Sequence, residues 1–229
     1  VRFRWALPSL RKLLSSCQLG VSAFVGEISS GVTTVVFNGI ILKLAGNVGV
    51  AAYGVVANTS LVAAAVFNGV SQGAQPLLSG YYGKGERASV RKVMRLGVGT
   101  GMVFSVLIIV LVWAVAEPVT AVFNNEGNAE LAVYAVTGLR LYFTGFLFAG
   151  FNIVGTGILS ATESARWAFL ASVSRGFVAI ILCAFALSYL FGMNGVWLAF
   201  PAAELATTVL VGAAFASGSR SDMKRNEKV

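Results

Sequence analysis

Apolar residues in this chain run in long unbroken stretches separated by short polar breaks, with neither the strict alternation of strands nor the narrow stripe of a soluble amphipathic helix. A helix needs about 20 apolar residues to cross the hydrocarbon core of a bilayer. The runs predict six spans near 13–42, 50–80, 94–117, 131–160, 167–191 and 195–217. The breaks carry Gly46-Asn47, Gly83-Lys84-Gly85, Asn124 to Asn128, and Gly192 to Gly195, and none is long enough to be a separate domain. A polar segment, 218–229, follows as a cytoplasmic tail that is expected to be disordered. The expected architecture is an all-α polytopic membrane bundle over 1–217, including a basic opening segment.

Composition narrows the choice further. The 229 residues are 57% hydrophobic and 11% charged, against about 25% charged in soluble domains. A lipid-exposed backbone must satisfy its own hydrogen bonds, which leaves helices or a closed barrel. A barrel would need alternating strands of about ten residues, which the runs do not show. Membrane helices are therefore expected.

Charge supplies the topology. Arg2, Arg4, Arg11 and Lys12 precede the first span, and Lys84, Arg87, Arg91, Lys92 and Arg95 lie between spans two and three. Arg166 follows span four, and Arg220, Lys224, Arg225 and Lys228 follow span six. These are fourteen of the 17 Lys and Arg residues, all on one side if the helices alternate. Lys43, Glu117, Glu126 and Glu130 fall on the other. The positive-inside rule makes the basic side cytoplasmic, with both ends there. It also accounts for the net charge of +8 without a nucleic-acid partner.

Ionisable groups within spans are costly and suggest function. Four stand out: Glu27, Arg140, Arg175 and Glu204. A carboxyl in such a setting can exchange a proton or hold a cation, so Glu27 and Glu204 are ion-coupling candidates. The two arginines are expected to neutralise them. Pro201, shortly before Glu204, frees a carbonyl one turn earlier. In span two, Asn68, Gln72, Gln75 and Ser79 recur at helical spacing on one face, with Asn58 on roughly the same side. That face can line a water-filled cavity or bond across helices. Pro76 is expected to distort this helix. Span four is aromatic-rich, with Tyr142, Phe143, Phe146, Phe148 and Phe151, and such rings pack helices or hold organic cations. Gly69-xxx-Gly73 and Gly97-xxx-Gly101 permit close helix approach. Cys17 and Cys183 are isolated and read as small apolar residues. Histidine is absent, no His-Glu-x-x-His pairing or paired intramembrane aspartates occur, and no filter-like loop is evident. An enzyme, a metal site and a channel are not expected.

Two longer stretches carry a family resemblance. Val50-Ala-Ala-Tyr-Gly-Val-Val-Ala-Asn58, continuing through Phe67-Asn-Gly-Val-Ser-Gln-Gly-Ala-Gln-Pro-Leu-Leu-Ser-Gly-Tyr-Tyr-Gly-Lys-Gly85, resembles the multidrug and toxic compound extrusion (MATE) family. Gly150-Phe-Asn152 and Gly195-Val-Trp-Leu-Ala-Phe-Pro-Ala-Ala-Glu204 resemble its bacterial branch. The resemblance implies a twelve-helix transporter of two six-helix lobes in the bacterial inner membrane, related by a pseudo-two-fold along the membrane normal. This chain resembles the C-terminal lobe, so an N-terminal lobe is the expected partner and the basic opening segment the linker. A start at Val1, without methionine, fits that expectation. Family members export amphipathic organic cations in exchange for Na+ or H+, with no other cofactor. One branch couples through a glutamate in the helix matching span one, where Glu27 stands; Val21-Ser22 occupies the place of the proline expected shortly before it. Cavity candidates are then Asn58, Asn68, Gln72, Gln75, Arg140, Tyr142 and Asn152. The alternative is a lipid-linked oligosaccharide flippase of the same broad superfamily, which would place several arginines around one cavity.

Overall fold

The structure is a computed structural model that describes the backbone of residues 9–162 and 164–226. Side chains are described for Ser9, Ile28, residues 31–162, Ser164 and residues 166–216. Every regular element among them is helical.

The first helical run, Leu10–Gly83, has 74 residues. A straight helix of that length would extend about 110 Å, several times the roughly 30 Å hydrocarbon core. It turns back at Gly46, whose φ of 61° lies in the left-handed region that glycine enters at no steric cost. The Phe37 and Tyr53 rings stack 5.4 Å apart, whereas sixteen residues of straight helix would separate them by about 24 Å. The run is therefore two antiparallel helices, α1 (10–45) and α2 (47–83). The last run, Ala179–Asn226, turns the same way at Gly192, φ 59°. It divides into the end of α6 and the whole of α7 (193–226).

Between them lie α3 (Arg87–Phe123), α4 (Ala129–Phe143) and α5 (Phe146–Ala161). Helix α6 comprises Ala165–Val173, a π-turn at Ser174–Val178, and the residues from Ala179 to the Gly192 turn. Helices α4 and α5 meet at a 49° bend and make one broken span. Six spans result, in the expected order. The broken span corrects the expectation of a continuous helix over 131–160. At Pro76 the outcome is the reverse: no residue of α2 leaves helical φ/ψ, because the one lost backbone bond is tolerated where neighbouring helices support the segment. Helix α7 continues to Asn226, through most of the polar tail.

Glycines set how the helices meet. Gly46 and Gly192 are each followed three residues later by another, Gly49 and Gly195. A Cβ at Gly49 would lie 2.6 Å from the Ala45 Cβ, and one at Gly195 would lie 1.8 Å from the Leu187 carbonyl oxygen. The first glycine reverses the chain and the second lets the new helix start against the old one. Of the two expected glycine pairs, Gly97 and Gly101 do admit α5, with Val154 packed on both. Gly69 and Gly73 face open space in this chain.

The core lies where α1, α2, α4, α5 and α7 converge, around Phe37, Val56, Phe67, Leu139, Phe146 and Trp197. Helix α5 is its spine, buried along nearly its whole length. Outside, α3 exposes Val103, Leu107, Val110 and Leu111, and α6 exposes Leu182, Phe185 and Leu190, as lipid-facing helices do.

The α3–α4 connection is held by side chains. Asn124 and Asn128 bond each other reciprocally, through the Asn124 amide to the Asn128 carbonyl (2.8 Å) and the Asn128 N–H to the Asn124 Oδ1 (2.9 Å). The Asn128 Oδ1 then caps α4 by accepting from the N–H groups of Glu130 and Leu131. Asn128→Ala is expected to lower stability by about 1 kcal/mol. Thermal unfolding in detergent checks this, and an unchanged midpoint would show that the cap contributes nothing.

Candidate functional site

Glu204 sits on α7 just after Pro201, with its side chain 1% exposed. A buried carboxylate is costly unless it is paired and hydrogen-bonded, and each of its oxygens has a partner. On one, the Arg175 guanidinium from α6 donates through Nε and forms an ion pair with Oε1. On the other, the Asn152 amide from α5 donates to Oε2 at 2.7 Å and also to the Glu204 carbonyl at 2.8 Å. Thr208, one turn further along α7, donates to the Asn152 Oδ1 (3.1 Å) and to the Glu204 carbonyl (2.9 Å). Three spans thus converge on one carboxylate.

The local backbone explains the convergence. Arg175 lies in the π-turn Ser174–Val178, and π-turns in α-helices occur often at functional sites. Helix α1 braces that turn, with the Thr33 hydroxyl donating to the Gly176 carbonyl at 3.1 Å. On the other side, Gly145 at the α4–α5 bend lets Phe200 and Pro201 close in: a Cβ there would lie 2.6 Å from the Phe200 ring and 2.9 Å from the Pro201 Cα. Tyr142 stacks on Phe200 at 4.2 Å, nearly coplanar at 5°. An aromatic stack therefore begins one helical turn before Glu204. Arg175 is 32% exposed, so the pair joins a sealed carboxylate to a partly exposed cation.

The MatE family profile matches residues 22–185, well over half of the sequence. The chain belongs to the MatE family. Among solved structures, it superposes on an outward-facing multidrug resistance MATE family transporter of the MOP superfamily with a TM-score of 0.87 at 14% identity, covering 98% of this chain and 50% of that one. The inward-facing form gives 0.83 at 14%, with 96% and 50% covered. A mutant of the Vibrio cholerae MATE transporter VcmN gives 0.86 at 15%, with 96% and 50% covered. None of the curated proteins compared matches the chain. The chain spans about half the length of the solved MATE chains it matches and has the fold of one of their halves. By family it is a membrane-embedded chain with a transporter fold.

Within this MATE lobe the sequence candidates separate. Glu204, Asn152 and Tyr142 come together, and Arg175 neutralises Glu204 as expected. Arg140 does not serve a carboxylate of the core. It bridges Glu117 at 3.2 Å, both side chains being exposed, and its carbonyl accepts from the Trp113 indole N–H at 2.9 Å. The apolar run around Arg140 hides a position facing α3 near the rim. Asn58, Asn68 and Gln72 are exposed on α2. Asn58 donates to its own helix, at the Gly54 carbonyl, and Gln75 donates to Ser71. The side chains of Glu27 and Cys17 lie outside the described residues. Cys183 is a free, half-buried thiol. Sequence reasoning missed Thr208, Thr33 and Gly145. Only Thr208 had a signal, its place four residues after a buried glutamate.

Proposed function

We propose that this chain is the C-terminal lobe of a bacterial inner-membrane MATE antiporter that exports amphipathic organic cations in exchange for Na+ or H+. The observation that carries the reading is the buried Glu204 carboxylate, held by an arginine that sits in a π-turn. A proton or Na+ arriving at Glu204 competes with the guanidinium for the same oxygens. Occupancy frees Arg175 and with it the π-turn of α6; emptying the site restores the pair. Because the two states bind the ion differently, an ion gradient biases their populations. Glu27 is the second coupling candidate of the lobe.

The open polar face of α2 supports a cavity beyond this chain. Asn68, Gln72 and the bare glycines Gly69 and Gly73 lie exposed in consecutive turns. Polar amides facing hydrocarbon are costly, so this face suits a wet cavity shared with a second lobe, expected as the N-terminal half. Substrate would meet Asn58, Asn68, Gln72 and Gln75 there, and the Tyr142–Phe200 stack supplies an aromatic surface for an organic cation. The concentration of basic residues in the loops at one end supports a cytoplasmic side for both termini of the segment. The intramembrane arginines do not favour the flippase alternative: Arg175 is engaged by Glu204 and Arg140 by Glu117.

The test is dye efflux from cells carrying the full-length gene, with pH and Na+ gradients imposed separately, for wild type, Glu204→Gln and Glu27→Gln. Glu204→Gln is expected to lower gradient-driven efflux at least tenfold while dye binding persists. The gradient that drives the wild type identifies the ion. Wild-type efflux by Glu204→Gln, with loss in Glu27→Gln, would move coupling to α1 and leave the Glu204 cluster structural.

A further inference from the structure

Helix α3 begins with cations on a face that then becomes apolar. Arg91, Lys92 and Arg95, with Ala88 and Leu96, form an open patch on the first turns of α3. The three cations are exposed, and none has an acidic partner among the described residues. The neighbouring carboxylate, Glu86, instead accepts from Ser89.

The position of the patch on the helix says what covers it. At 100° per residue, Arg91, Lys92 and Arg95 share a face with Val103, Val106, Val110 and Trp113, all exposed hydrophobics. From Lys92 to Trp113 the helix rises about 30 Å, the thickness of the hydrocarbon core. Trp113 ends the stripe as an interfacial tryptophan does, tied by its indole N–H to the Arg140 carbonyl. The cations therefore stand where a headgroup meets its acyl chains. Leu96 (61% exposed) marks the start of the chain track.

We propose that this patch is a seat for one anionic phospholipid, its phosphate held by Arg91, Lys92 and Arg95 and its acyl chains laid along the apolar face of α3. Arg91 and Arg95 stand one helical turn apart and approach a phosphate from two sides with charge-assisted donors. Lys92 adds a mobile third donor. A zwitterionic lipid brings its own cation to a site already carrying three, so the seat selects net negative charge. A free phosphate ester satisfies the cations but leaves the apolar track bare.

Native mass spectrometry of the detergent-purified protein carrying this chain in full tests the seat. The probes are phosphatidylglycerol, phosphatidylethanolamine and glycerol 3-phosphate. Phosphatidylglycerol is expected to bind at least tenfold more tightly than phosphatidylethanolamine, and glycerol 3-phosphate should not displace it. The triple variant R91Q/K92Q/R95Q should lose roughly a hundredfold in affinity, about fivefold per cation. Arg95→Gln alone should lose about fivefold, and Arg166→Gln, an exposed cation on α6, should lose nothing. If the triple variant does not fold, the single variants and the wild-type lipid selectivity decide. The proposal is overturned by equal binding of the two lipids or by an anionic preference that survives in the charge-deleted variants. It is equally overturned by a loss in Arg166→Gln matching that in Arg95→Gln, or by displacement by glycerol 3-phosphate.

Discussion

Arg175→Met is expected to destabilise the lobe by about 3–5 kcal/mol, the usual cost of stripping one partner from a buried ion pair. The substitution keeps an unbranched apolar stem, shorter than arginine, and removes the charge. Glu204, 1% exposed, is left with the Asn152 amide on one oxygen and nothing on the other. Glu204→Gln alone should cost less, because a neutral amide is cheaper to bury than an unpaired carboxylate and Arg175, being partly exposed, can turn toward water. Adding Glu204→Gln to Arg175→Met is then expected to recover much of the loss, since no buried charge remains. The measurement is unfolding in detergent for the two single variants and the double variant. Strict additivity would show that the pair contributes no coupling, and it would remove the physical basis for ion competition at Glu204. The cycle also separates stability from transport: a double variant that folds well and exports nothing would assign the charge pair to function rather than to folding.

Gly195→Ala should have the second large effect, a loss of about 1–3 kcal/mol or more from overpacking. The new Cβ would lie 1.8 Å from the Leu187 carbonyl oxygen and 2.3 Å from its carbon. These are backbone atoms, so relief requires moving the turn itself. Gly192, three residues earlier, holds that turn in a left-handed conformation, which leaves little freedom on the other side. Displacing α7 at its start also displaces Trp197, which packs on Gly138 of α4. Gly212→Ala, deep in the same helix with nothing within 4 Å of a new Cβ, is the control. It is expected to be neutral or to gain about 0.5–1 kcal/mol from reduced backbone freedom in the unfolded chain. Equal midpoints for the two variants would show that the close approach at Gly195 is not a constraint on the fold.

These two variants fall on features that the sequence reveals unequally. Glycine and asparagine at 46–47 and 192–195 announce turns, but nothing in the letters distinguishes Gly46, which reverses the chain, from Gly49, which admits the neighbouring helix. Glu204 is conspicuous as a carboxylate in an apolar run. Its partners are not: Arg175 and Asn152 lie 29 and 52 residues away. Arg140 looked equally eligible, and it pairs instead with the exposed Glu117, where an ion pair contributes about 0–1 kcal/mol. The bend between α4 and α5 was also hidden, because Thr144-Gly145 interrupts neither the apolar run nor any charge pattern. It becomes visible only when Pro201 of α7 is seen packed against Gly145.

The sequence by itself determined the solvent, the class and the number of spans. Transfer of a residue between water and lipid depends on its own chemistry, so runs of apolar residues add up along the chain without reference to neighbours in space. The uneven placement of Lys and Arg gives an expected sidedness by the same local logic. Tertiary structure decided which polar groups meet. That depends on the angular phase of each helix, on glycines that let helices approach, and on breaks such as the π-turn at Ser174–Val178, which shifts the register of Arg175 against α7. Those quantities are relations between helices, and only packing the six spans together fixes them.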